Sequence, residues 1–381
     1  MTATSLRSEH QSQRESTNHQ TSPVTLAATL VLFIAGMAYA LDPCKGEVKV
    51  FQFPPSLMPH IDGKGDDWKI VGEEYTYRND KLHGAACGHP DGIDPKDLDV
   101  SVKVGWVKGL DRLYFLYEAY DDYWDFSLYS DARGYQNDIF EISLDADLSG
   151  GPFIRNTQIK DPVENHFRFS GVHAQNYHIF TPPVNNQWCM VWGSNPWIAG
   201  FPWAHSAYDY RFKPGESGKL VLEFWVTPFD YSPSDGPGRA VVSKLVENQL
   251  IGLSWAVLDF DRGKKKASGN CTLSSDPTSV QNGSALCAAR LMPLEERFLP
   301  GIEARFTFHV VDRARRLVYF KDESIGQVDK LTWHFGDGEI SHERNPIHQY
   351  TKPAIHNNVL LEVEGPKGIS RFSRHWEVSV P

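Results

Sequence analysis

The 381-residue sequence predicts an all-β chain of two antiparallel β-sandwich domains, a larger jelly-roll or immunoglobulin-like one followed by a small immunoglobulin-like one. Three observations lead there. Several short runs alternate apolar and polar residues with period two, the pattern of strands with one buried face. Gly, Pro and Asn separate those runs, and no stretch keeps a 3.6-residue apolar period over a dozen residues. Pro300-Gly301 then interrupts the pattern, dividing the chain into a leader (1–40), a first domain (41–300) and a second (301–381).

In Asp62–Trp68 the Gly and Asp residues predict a turn, and Trp68 is placed as a plug at the end of the sandwich. Val100, Val102, Val104 and Trp106 alternate with Ser101, Lys103 and Gly105, which predicts a half-buried strand. Leu113–Tyr120 is apolar on both faces and reads as a central strand. Across Asp138–Leu144, Phe140, Ile142 and Leu144 face one way and Glu141, Ser143 and Asp145 the other. Residues 173–212 carry Trp188, Trp192, Trp197 and Trp203 among Asn, Gly and Pro, and read as a long ornamented loop or an irregular hairpin. Leu220–Val226, ended by Pro228, and Ile251–Val257 resume the alternation.

Composition narrows the function. With 41% hydrophobic and 23% charged residues, the chain can fill one or two cores. A formal charge of −10 argues against a nucleic-acid surface, which needs clustered Lys and Arg. Val24–Ala40 is a 17-residue apolar run ending Ala38-Tyr39-Ala40, which predicts a secretory signal cleaved after Ala40 and no membrane span thereafter. An uncleaved anchor is the alternative reading. In an oxidising compartment the five cysteines leave at least one unpaired, and Cys271–Cys287 closes a short polar loop as the expected disulfide.

No nucleophile elbow, zinc-protease helix, Walker loop or dinucleotide fingerprint is present, so no catalytic residue is assigned. His83, Cys87 and His89 share a polar loop but lack a fourth ligand at zinc spacing. Carboxylates are denser. Asp121, Asp122, Asp138, Glu141, Asp145 and Asp147 fall within 27 residues, which points to a calcium site or a polar ligand floor. If calcium is bound, the expected ligands come from Asp121, Asp122, Asp145, Asp147, Asp259 and Asp261, with solvated turn acids as the alternative.

The strand ending in Asp121-Asp122, the aromatic loop after it and Asp138–Asp145 together resemble family 9-type carbohydrate-binding modules. Ile61–Trp68 and Ile251–Asp261 match the opening and close of that family, so the resemblance spans roughly residues 45–295. It implies a secreted or cell-surface, non-catalytic protein whose partner is a poly- or oligosaccharide. Tyr135 lies six residues before Glu141, where sugar-binding members carry a stacking ring before an acidic ligand-binding residue; here the ring is Tyr rather than Trp. Arg168, in the run Asn165–Ser170, is a candidate hydroxyl donor, and Trp188, Trp192, Trp197 and Trp203 supply candidate rings. The alternatives are that Tyr135 and Glu141 are ordinary surface residues and that the aromatic segment is a lid packing on itself. A related sandwich group binds haem b for electron transfer, with Met190 and His178 as the candidate axial ligands here, although haem is not the expected cofactor. A purely structural or adhesive surface protein is the third reading.

Trp333-His334-Phe335-Gly336-Asp337-Gly338, Ser341 and Asn345–Tyr350 closely resemble a PKD (polycystic kidney disease) domain, a small immunoglobulin-like sandwich. The resemblance implies a tight turn at Gly336–Gly338, Trp333 and Tyr350 in the core, and a spacer or protein-interaction role. Alternation resumes one residue late at Val359, Leu361 and Val363, which predicts a bulge before them.

Overall fold

In the computed structural model, alternation becomes strand pairing across residues 44, 46–83, 93–127, 136–154, 158–261, 269–299 and 301–380, the ones it describes. The leader, Cys87, His89, Tyr135 and Pro300 lie outside the described residues. Among the described residues, no helix is long and apolar enough to cross a membrane.

The first sandwich contains β1 (Val48–Gln52), β2 (Thr76–Arg78), β3 (Leu98–Trp106), β4 (Leu113–Asp121), β5 (Ile139–Asp145), β6 (Gln175–Val184) and β7 (Gln187–Val191). It continues with β8 (Ala204–Tyr210), β9 (Gly218–Val226), β10 (Phe229–Tyr231), β11 (Val241–Val242), β12 (Leu250–Asp259), β13 (Gly269–Thr272) and β14 (Cys287–Leu291). One layer runs β7-β6-β5-β12-β14-β1 and the other β1-β3-β4-β9-β8, with β13 on β12 and β2 on β3. β1 belongs to both. Val48–Val50 pair with β14 and Phe51–Gln52 with β3, and both pairings are parallel in an otherwise antiparallel fold.

The predicted alternations hold. Val100, Val102, Val104, Phe140, Ile142, Leu144, Leu222, Phe224, Leu253 and Trp255 all enter the core between the layers. Each large apolar side chain buried there contributes about 1.5–3 kcal/mol. β4 is central, as its two apolar faces predict. Its other face, with Tyr114 and Leu116, packs into a second cluster around Phe53 and Trp68.

Three expectations are sharpened or changed. Of the two readings of residues 173–212 the irregular hairpin holds: they form hairpin β6–β7, whose register shifts between Ile179 and Val184, followed by edge strand β8. Trp68 covers the outer face of β4 and β9 rather than plugging an end. Its indole donates to Glu223 Oε1 (3.0 Å), while Glu223 Oε2 accepts from the backbone N–H of Asp62, Gly63 and Lys64 at 3.2, 2.7 and 3.1 Å. Gly63 is required there: its φ is +82° and a Cβ would lie 2.7 Å from the Tyr208 backbone.

The third change is the disulfide, which joins Cys44 to Cys287 rather than Cys271 to Cys287. Parallel pairing of Val48 with Ala289 brings the segment before β1 alongside the start of β14, a proximity set by sheet order. Cys271 is also disulfide-bonded, and Cys189 is the buried free thiol.

The second sandwich stacks a sheet of β15 (Phe306–Asp312), β16 (Leu317–Asp322) and β19 (Ile347–Gln349) on one of β17 (Lys330–His334), β18 (Ile340–Ser341), β20 (Ala354–Gly365) and β21 (Gly368–Val380). Trp333 and Tyr350 sit in its core as expected, with the Trp333 indole donating to Glu343 O at 3.0 Å. Gly336 and Gly338 have φ of +86° and +101°, which makes the predicted turn. The register of β20 against β21 slips between Asn357 and Val359, the predicted bulge.

Candidate functional site

Register decides which polar residues meet on the outer face of the β7-β6-β5-β12 layer. Pairing aligns Met190, His178, Glu141, Ala256 and Thr272 in one row across β7, β6, β5, β12 and β13. Asn176, Ser143 and Ser254 form the next row, and Phe180, Ile139 and Leu258 the row on the other side. Period-two alternation keeps all three rows on one face. Glu141 thus leaves β5 opposite Phe140, Ile142 and Leu144, as the sequence predicts, yet it is buried rather than exposed.

These polar groups are incompletely paired. Asn176 Nδ2 donates to Glu141 Oε1 (2.6 Å), Ser143 Oγ (3.0 Å) and Val280 O (3.1 Å). Glu141 Oε2 stands 3.6 Å from His178 Nδ1, beyond hydrogen-bond reach. Asn176 Oδ1 and both ring nitrogens of His178 are buried without a hydrogen-bond partner. Each such atom costs about 1–3 kcal/mol unless something else satisfies it. Apolar groups flank them: Ile139, Phe180 and Val184 cluster with Phe126, Met190 and Leu258. Trp192, 40% exposed, lies edge-on to His178 at 5.9 Å between centroids.

The other expected rings and donors are engaged elsewhere. The Trp188 indole donates to Ala199 O and its ring packs by Tyr177 and Phe224. Trp197 donates to Pro233 O, and Trp197 and Trp203 both pack edge-on against Phe229. Trp192 is the predicted indole placed beside the polar rows. Arg168 lies on helix α1 (Pro162–Phe169), with an exposed side chain 3.4 Å from Glu164. Asp161 caps that helix and Pro162 occupies its first turn, a start signal that was present in the sequence. Tyr135 lies outside the described residues, so its place beside Glu141 stays an expectation.

The six candidate calcium ligands divide between the two ends of the first sandwich. Asp121 closes β4 and Asp259 closes β12; with Asp261 their carboxylates lie within 4.8 Å of one another. Asp122 and Asp261 form a second such group with Asp97, which the sequence reading missed. Asp97 directly precedes Leu98, the partner of Asp121 across β3–β4, so strand register would have found it. Asp121 Oδ2 and Asp259 Oδ1 are buried without a partner. Burial, together with the neighbouring carboxylates, pushes Asp121 up to about 7 and Asp259 up to about 8. Asp145 and Asp147 sit at the other end of β5, where Asp145 accepts from Ser149 and Gly150 N–H and Asp147 from Ser149 N–H. They close a turn and do not join the cluster.

The donor set at Asp97, Asp121, Asp122, Asp259 and Asp261 fits a hard divalent cation, which takes six to eight oxygens. His178 and Met190, the haem candidates, pair directly across adjacent strands on one face.

No family model matches the chain, and no curated protein matches it. Among solved structures, a family 9 carbohydrate-binding module from Caldicellulosiruptor kristjanssonii, in complex with cellotriose, is similar at 15% identity and a TM-score of 0.42, covering 68% of this chain and 100% of that one. The same module with glucose gives the same identity and TM-score over 67% of this chain. A PKD domain from a Vibrio cholerae metalloprotease is similar at 26% identity and a TM-score of 0.19, covering 21% of this chain and 99% of that one.

Proposed function

We propose that this chain is a secreted or cell-surface, non-catalytic carbohydrate-binding protein. The first domain, residues 41–300, takes an oligosaccharide on the outer face of β5 and β6. The observation that carries this reading is the set of buried, unpaired polar atoms on Asn176 and His178, set between an apolar shelf and the exposed ring of Trp192. A sugar needs that combination: fixed donors and acceptors for its hydroxyls and flat apolar surface for its C–H face. Glu141 and Asn176 select hydroxyl orientation, because a mismatched hydroxyl leaves a buried group unpaired.

Calcium held by Asp97, Asp121, Asp122, Asp259 and Asp261 fixes the strand ends beside this face. Two paired neighbours of the floor lead into that cluster: β12, which carries Ala256, ends at Asp259, and β5, which carries Glu141, pairs with it. The second domain, residues 301–381, serves as a spacer and interaction module. The two disulfide-bonded cysteines of the first sandwich that pair with each other, Cys44 and Cys287, suit an extracellular or periplasmic place.

A glycan array probed with the purified chain, with and without calcium, tests the reading. Binding of a defined set of glycans, weakened by a chelator, is the expected result. An array with no binder in either condition would favour a structural or adhesive role.

A further inference from the structure

We propose that the second sandwich carries a separate binding surface for anionic polysaccharide, formed by the β15–β16 hairpin and the exposed face of its sheet. The hairpin tip reads Asp312-Arg313-Ala314-Arg315-Arg316. Its three guanidinium groups are poorly compensated. Arg315 stands 3.7 Å from Asp312, Arg313 has no ion pair among the described residues, and Arg316 Nε is buried without an acceptor. Elsewhere in this domain arginines are neutralised at close range: Arg305 by Glu303, Arg344 by Asp322 and Arg371 by Glu362. Lys352 adds a further cation at the same end, two residues past Tyr350, whose N–H donates to Arg316 O.

A planar guanidinium fork matches the geometry of a carboxylate or sulfate, and an unengaged fork is free to take one. The sheet face that leads away from the tip supplies the second half of a sugar site. His309, Tyr319 and Ile347 align across β15, β16 and β19, with the His309 and Tyr319 rings 5.0 Å apart. Val311 and Ile347 are 51% and 60% exposed on that face. Cations beside a ring pair, His309 exposed and Tyr319 half-buried, and aliphatic surface suit a polymer whose units carry both an anionic group and an apolar sugar face. The chain as a whole carries −10, so a polyanion is repelled everywhere except at a local basic site. This surface lies in the domain that the first-domain reading treats as a spacer.

Affinity electrophoresis of the full chain tests it, using gels containing polygalacturonate, dextran sulfate or neutral dextran. Retardation by polygalacturonate or dextran sulfate, and none by neutral dextran, is expected; which polymer retards tells carboxylate from sulfate recognition. The Arg313→Gln/Arg315→Gln variant, whose changes lie on an exposed turn, should lose about tenfold or more in apparent affinity, and Tyr319→Ala several-fold. His178→Leu should be retarded like the parent, which separates this site from the one on the first sandwich. No retardation in either anionic gel, an unchanged Arg313→Gln/Arg315→Gln variant, or equal retention by single-stranded DNA would overturn the proposal.

Discussion

The two sandwiches handle buried polarity differently. In the second, the Trp333 indole and the Tyr350 hydroxyl both donate within the fold, and the one orphan side-chain atom among its described residues is Arg316 Nε. In the first, orphaned buried side-chain atoms include Asn176 Oδ1 and both His178 ring nitrogens at the sheet face and Asp121 Oδ2 and Asp259 Oδ1 at the strand ends, with single atoms on Gln52, Thr76, Tyr177, Asn195 and Trp255 elsewhere. Native folds pair nearly all buried polar groups, so clustered exceptions mark places where something outside the chain completes the network. Glu223 provides an internal control. It too is a buried carboxylate on a sheet face, yet both its oxygens are occupied by Trp68 and the 62–64 backbone. A buried carboxylate can thus be fully paired within the fold, as Glu223 is.

The second domain should respond most strongly to loss of a core side chain. Trp333→Ala should destabilise it by about 3–5 kcal/mol, the usual cost of emptying a large core position. Calorimetry that left the melting of this domain unchanged would deny Trp333 its core role. Next comes Glu223→Leu, which orphans three backbone N–H groups and an indole at about 1–3 kcal/mol each where they stay buried. A variant as stable as its parent would mean the clasp is already open to water.

At the strand ends, stability should depend on pH with a defined sign. The folded-state values of Asp121 and Asp259 lie above those of the unfolded chain, so the metal-free fold binds more protons than the unfolded chain across that interval. The contribution of these two groups to stability therefore falls as pH rises from about 4 through about 7 to 8. Calcium at pH 8 should restore it, by about 2.7 kcal/mol at a hundredfold excess over its Kd. Melting curves at pH 8 that do not move with millimolar calcium would assign the cluster to solvated turn acids. The smallest expected effect is on the sheet face: His178→Leu should raise stability by about 1 kcal/mol, the relief of an unpaired buried ring offset in part by the poorer fit of Leu.

Much of the fold was legible because strand alternation is local. Val100–Trp106, Leu220–Val226 and Ile251–Val257 each declare one buried face, and the Gly336–Gly338 turn and the bulge before Val359 follow from glycine chemistry and phase. What could not be read is which strands are neighbours. Sheet order sets the Cys44–Cys287 pairing, brings Asp97 to Asp121, and lays His178 and Asn176 beside Glu141 and Ser143. The aromatic segment misled for the same reason: Trp188, Trp197 and Trp203 fill gaps between elements distant in sequence, and a single strand's pattern carries no record of those gaps.

The most direct test of the sheet-face site is titration calorimetry of the tightest glycan that the array returns, against the parent, Glu141→Gln and Asn176→Leu. Each variant should lose about tenfold or more in affinity, the loss expected when a buried hydrogen-bonding partner is removed. Glu141→Gln should melt near the parent and Asn176→Leu lower, because Glu141 Oε1, Ser143 Oγ and Val280 O lose their donor. Parental affinity in both variants, with the fold intact, would contradict the sheet-face site and leave β5 and β6 with a structural role alone.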